Sequence, residues 1–174
     1  MKKCRNCKVD FEPFQTTQVV CSTSCAIDVA RKKVKKDYRQ QTTKLRKEFQ
    51  GKDRSYQLKL AQAAFNSYIR ERDLYYPCIS CGRHHDGQYH AGHYKTIGSH
   101  PELRFNERNC YKQCAPCNNH LSGNIIEFRR RLIEIHGVEM VEWLEGPHEP
   151  KKYTIDEITH IKDIYKAKLK ELTR

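Results

Sequence analysis

The hydrophobic positions divide the chain into stretches with a helical period and one long stretch without it. Leu58, Ala61, Phe65, Tyr68 and Ile69 recur at helical spacing within residues 54–75. They predict a helix with one face on a core and Pro77 as its limit. Ile125, Phe128, Leu132 and Ile133 predict a second helix from Ser122 to His136, closed by Gly137. A short helix over Glu139–Leu144 follows, and Gly146-Pro147-His148-Glu149-Pro150 reads as a turn or linker. The last helix opens on the capping box Thr154-x-x-Glu157. Its stripe is Ile155, Ile158, Ile161, Tyr165, Leu169 and Leu172, which either packs on the body or forms a dimer seam. Residues 26–50 read as helix in a dense basic stretch, with Gly51 as the stop. Residues 78–117 have no helical period. They are rich in Cys, His, Gly and Asn, and predict short strands and loops. No repeat or low-complexity tract interrupts this order.

Composition changes the picture in two ways. Hydrophobic residues are 37% and charged residues 31% of the 174 positions. That is little apolar material for one large core, so metal sites or a partner subunit are expected to help hold the chain together. The 33 Lys and Arg against 21 Asp and Glu leave a net charge of +12. Such a surplus repels itself in the folded state, and a polyanion such as nucleic acid is the usual reason to carry it. The plainer reading is charge kept for solubility. No apolar run near the N-terminus predicts a signal peptide or a membrane span, so a cytoplasmic protein with reduced thiols is expected.

Eight of the nine cysteines fall into close pairs, which is metal-ligand spacing. Cys4-x-x-Cys7 with Cys21-x-x-x-Cys25 supplies four sulfurs for one zinc. Cys78-x-x-Cys81 with Cys114-x-x-Cys117 supplies four for another. Four thiolates leave no open position on the metal, so both zincs are expected to be structural. Cys110 is left over and reads as a buried thiol, although a looser pairing with Cys114 is open to it. The first cluster would anchor the basic helix that follows. There Arg31, Lys32, Lys33, Lys35 and Lys36 could lie along a phosphate backbone without reading sequence, or merely form a solvated face.

His84, His85, His90, His93, His100 and His120 gather in and around the second pair of knuckles. In His90-Ala91-Gly92-His93-Tyr94 the small neighbours are expected to let a phosphate approach His93. With Asn109-x4-Cys114-x-x-Cys117-Asn118, the segment resembles the HNH (ββα-metal) nucleases. Leu103-Arg104-Phe105, Gln113-Cys114 and Leu121-Ser122-Gly123-Asn124 extend the similarity to one branch, the phage NinG/Rap recombination endonucleases. The resemblance runs over nearly the whole chain.

That resemblance implies a metal-dependent endonuclease cutting branched DNA such as Holliday junctions and D-loops. The branched substrate rests on the resemblance alone. His93 matches the general base, and Asn109 the residue that holds the loop and orients it. Asn118 stands where a metal ligand is placed at a helix start, and a helix N-terminus there would itself attract phosphate. Many relatives in the wider superfamily carry a metal-binding Asp where this chain has Gly92. Another ligand must replace it, in the order His90, His120, Asp86. Such a shell would accept Mn²⁺ as well as Mg²⁺. For His84, His85, His100, His136, His148 and His160 an ordinary loop or surface role is expected. Arg129 and Arg130 are expected to touch the DNA backbone from the helix after the site.

The expected fold is α+β: an N-terminal zinc module (1–25), basic and amphipathic helices (26–76), a zinc-braced HNH-type ββα core (77–146) and a C-terminal helix (147–174). Two structural Zn²⁺, a catalytic Mg²⁺ or Mn²⁺, a DNA partner and a homodimer in the host-cell cytoplasm complete the expectation. The main rival is a zinc-dependent nucleic-acid-binding protein without catalysis, which leaves His93, Asn109 and Asn118 unexplained. A zinc-knuckle adaptor leaves the +12 charge unexplained.

Overall fold

The computed structural model describes residues 1–174, which divide into two compact units, 1–51 and 52–174. The division falls at residue 51. The basic helix therefore belongs with the first zinc module, and the second helix with everything after it. These boundaries differ from the four segments expected from the sequence.

The first unit opens with a two-stranded antiparallel ribbon, β1 (Lys2–Lys3) and β2 (Asp10–Phe11). It continues into α1 (Thr23–Lys52). This helix starts earlier than expected, taking Cys25 into its first turns, and it runs through Gly51 instead of stopping there. The break is made by Asp53. Its backbone is extended, and its carboxylate accepts from the N–H groups of Ser55 and Tyr56. A side chain that satisfies the orphan amides of the next helix outweighs the weak stop of one glycine. Within α1 only Cys25 is buried, and residues 31–49 are exposed throughout.

The second unit is built on α2 (Arg54–Arg72), the strands β3 (Tyr89–His93) and β4 (Cys110–Cys114), then α3 (Ile125–His136), α4 (Val138–Glu145) and α5 (Ile155–Leu172). The strands are antiparallel, pairing His90 with Gln113, Gly92 with Tyr111 and His93 with Cys110. Successive side chains alternate between the sheet's faces. One face carries Ala91 and Cys110 into a core with Phe65 and Ile69 of α2 and Ile158 and Tyr165 of α5. Beyond the end of β3, Tyr94 joins a second core with Phe128 and Leu132 of α3 and Val141 and Leu144 of α4, and Tyr111 of β4 packs against it. Fully buried rings such as Phe65 and Phe128 contribute roughly 1.5–3 kcal/mol each by leaving water.

The stripe of α5 is thus used within the chain. Ile158 and Tyr165 bury against α2, and the Thr154–Glu157 capping box forms as expected. The third stripe begins later than Ser122. Ser122, Gly123 and Asn124 have φ of 49°, 87° and 45°, and three successive left-handed residues cannot start a right-handed helix. A separate π-turn, Pro116–His120, precedes them. No helix is long and apolar enough to cross a membrane.

Candidate functional site

Both sets of four cysteines close into clusters whose sulfur atoms all lie within 4.8 Å of one another. A zinc tetrahedron with Zn–S near 2.3 Å has edges of about 3.8 Å. The separations Cys7–Cys21 (3.5 Å), Cys21–Cys25 (3.7 Å) and Cys81–Cys114 (4.0 Å) match that size. The clusters share a further detail. The N–H of Cys21 donates to Cys4 Sγ, and the N–H of Cys114 donates to Cys78 Sγ, each at 3.4 Å. Burial would raise the Cys4 thiol, but backbone N–H groups from Cys21, Cys7 and Asn6 outweigh it and bring it down to about 6. The Cys21 thiol is pushed up to about 12 by its neighbours Cys7, Cys4 and Cys25. Four sulfurs this close favour a shared cation over four charges. Both clusters could hold zinc. Cys110 belongs to neither; it is a wholly buried thiol, as expected, and burial holds it protonated.

His85 is more than the ordinary loop residue its sequence predicts. Its Nε2 lies 3.2 Å from Cys81 Sγ, and its backbone N–H donates to the Tyr89 hydroxyl at 2.6 Å. An imidazole N–H on a ligating sulfur orients it and draws off charge. Four residues after Cys81, it was within reach of the cluster, and only the fold of the knuckle reveals the contact.

The histidines of β3 point to opposite faces. His93 lies on the α2 side, its ring 5.9 Å from that of Phe65. Its Nε2 donates to the Arg104 carbonyl at 2.9 Å, which leaves Nδ1 as the basic nitrogen, 3.6 Å from Cys110 Sγ. Burial lowers its pKa, so the ring stays neutral. His90 lies on the other face, opposite Gln113, and its Nε2 is buried with no hydrogen-bond partner.

Gly92 does not open a path for phosphate. A Cβ there would meet Gln113 Oε1 at 2.1 Å. Gln113 is itself buried; its amide donates to Ser80 Oγ and the Gly123 carbonyl, tying the knuckle to the bend before α3. An Asp at position 92 would collide with this tie.

Asn109 is fully buried and clasps the loop beyond His93. Its Oδ1 accepts from Lys95 N–H at 2.7 Å, and its Nδ2 donates to the carbonyls of Lys95 (2.9 Å) and Leu103 (3.2 Å). It acts on His93 only indirectly, through the loop that delivers the Arg104 carbonyl. Asn118 and His120 lie on the π-turn, ahead of the left-handed bend, so neither sits at the N-terminus of α3. Asn118 donates to Asn119, and His120 is exposed. Outside the sulfur clusters no three His, Cys, Asp or Glu ligand atoms converge. His90, His120 and Asp86 are thus not assembled into a ready-made cation site.

The arginines of α3 are engaged. Arg129 forms a two-bond pair with Glu145 at 2.8 and 3.1 Å, and Arg130 bridges Glu127 and Glu134. On α1, Lys32 donates to Asn6 at 2.7 Å, while Arg31, Lys33, Lys35 and Lys36 are exposed without ion pairs.

Comparison with known proteins decides the family. Residues 1–174 match the family described as Bacteriophage Lambda NinG protein. The chain belongs to the NinG family. "Protein ninG" of Escherichia phage lambda is 40% identical over 190 residues, covering 98% of this chain and 93% of the relative. The namesakes from Salmonella phage P22 (39% over 190 residues) and Escherichia phage 933W (40% over 188) have the same coverage. No solved structure matches the chain. NinG membership therefore covers both sulfur clusters, the basic helix and the strand that carries His90 and His93.

Proposed function

We propose that this NinG protein is a metal-dependent endonuclease of the HNH type that cuts branched DNA. One observation carries the reading: a sulfur-braced strand pair carries His90, with a free buried nitrogen, and His93 at the strand's end, before a loop clasped by Asn109. Phosphodiester hydrolysis needs an activated water, a neutral imidazole can take its proton, and burial keeps His93 in that form. His90 would supply one ligand to the cation, and Asn118 and His120, on the turn after β4, are the candidates to complete its shell. An imidazole and amide set of this kind suits Mn²⁺ at least as well as Mg²⁺. The cation would stabilise charge on the scissile phosphate. For His93 to act as base through Nδ1, its ring must swing away from Cys110. The unpaired cations of α1 would follow the phosphate backbone, and a four-armed substrate suits a homodimer by symmetry.

The second reading, binding without catalysis, is favoured by the same histidine, since both of its ring nitrogens are engaged. A labelled four-way junction incubated with Mg²⁺ or Mn²⁺ separates the two. Nicking by the native protein, its loss in His93→Ala and retained junction binding are the expected results. Binding with no nicking in any metal would establish the second reading. Nicking that persists in His93→Ala would remove His93 as the base, whatever His90→Ala does.

A further inference from the structure

A cavity of about 650 Å³ lies within the second unit, beside the edge of β4 away from β3. Its size is in the roughly 300–1,000 Å³ range of sites that take small ligands. The candidate nuclease residues do not line it.

The lining combines three chemistries. Tyr111 offers an aromatic ring, with the Arg72 guanidinium 5.0 Å from its centroid and His136 tilted against it at 5.4 Å. Ile79, Ile135, Pro77 and Tyr76 make apolar walls, of which Tyr76 is 66% exposed. The cations include Arg108 and Arg131. The acids of the lining are already committed. Asp73 pairs with Arg72 at 2.7 Å and accepts the Lys112 N–H at 2.9 Å. Glu107 binds Lys168 and accepts from the Tyr68 and Tyr165 hydroxyls. Arg108 has no carboxylate partner, only the Trp143 ring at 5.9 Å. Arg131 has one exposed bond to Glu134, and its Nε is buried without a partner. The cavity therefore has an aromatic floor, apolar walls, an Arg108 guanidinium without a carboxylate and an Arg131 whose Nε has no acceptor.

We infer that this cavity receives one unstacked nucleotide of bound DNA, its base against Tyr111 and Tyr76 and its phosphate at Arg108 and Arg131. The inference rests on the proposal that the protein binds branched DNA, and extends it from the backbone to a site that selects for an unpaired base. An aromatic face accepts any base, so the site would prefer a displaced nucleotide without reading its identity. Guanidinium groups suit phosphate because they donate two parallel hydrogen bonds. An apolar peptide would suit the walls but would leave Arg108 without an anion and Arg131 Nε without an acceptor.

The test compares a short duplex carrying one bulged 2-aminopurine nucleotide with the fully paired duplex, without added Mg²⁺ or Mn²⁺. The native protein is expected to bind the bulged form about tenfold more tightly and to quench the probe by stacking. The double variant Tyr76→Ala, Arg108→Ala alters exposed side chains. It should lose the preference while binding paired duplex within about twofold of native. Ile135→Trp, which fills the cavity from a half-exposed position, should do the same. Equal native binding to both duplexes, or a preference that survives in both variants, would overturn the inference. Cleavage is not read here. A protein that prefers the bulge yet never cuts would refute only the nuclease reading.

Discussion

In residues 1–51 the only buried residues are Cys4 and Cys25, both members of the first sulfur cluster. In residues 52–174 the second cluster stands beside two aromatic-rich cores, one on each face of the strand pair. The ligand sets match, down to the backbone N–H on the first cysteine of each, but their surroundings do not. In the first unit a metal would replace a hydrophobic core. In the second it would fasten one end of a structure with apolar burial of its own. Small domains without enough apolar surface fold only when such a constraint is supplied.

Metal removal should break the comparison most visibly. A chelator strong enough to strip zinc, or Cys21→Ser, should abolish amide protection over residues 1–25, since zinc binding in such modules supplies roughly 10–16 kcal/mol. Amides of α2 and α5 should stay protected by hydrogen exchange. Equal loss in both units would mean that the second core cannot stand without its cluster.

Next in size is Gly92→Ala. Its Cβ must displace Gln113, whose amide joins Ser80 to Gly123. Overpacking of this kind costs about 1–3 kcal/mol. Denaturant unfolding should show that loss for the second unit with no change in the first. An unchanged midpoint would mean that Gln113 yields freely and that position 92 is open after all.

The pH response carried by His93 should be smaller and belongs to the second unit. Burial depresses the His93 pKa, partly offset by the Arg104 carbonyl. The unfolded chain therefore binds the proton more readily than the folded one. Stability carried by the neutral ring is complete above the ordinary histidine value and is lost as pH falls through it toward the folded pKa. His93→Asn should flatten that acid slope in thermal melts. A parallel slope would place the titrating group elsewhere.

The smallest effect on stability belongs to α1. Replacing Lys33, Lys35 and Lys36 by Gln should leave stability within about 0.5 kcal/mol, because exposed substitutions touch nothing. The slope of log Kobs against log salt for duplex binding should nevertheless fall by about 0.9 for each phosphate contact removed. An unaltered slope would take the helix out of the interface.

Residue spacing in the sequence determined which elements exist and which cysteines meet. The cysteine pairs impose their own geometry, and the stripes of α2, α3 and α5 each have one face that must be buried. The capping box at Thr154 was equally legible, because it needs only residues three apart. Tertiary structure decided what those elements touch. The direction of the His93 ring depends on Phe65 and Arg104, and the closure of Gly92 depends on Gln113 across the strands. The start of α3 depends on Ser80 and Gln113 holding Gly123. Local periodicity cannot encode contacts between segments tens of residues apart, because their register is fixed only when the two faces of the sheet are packed.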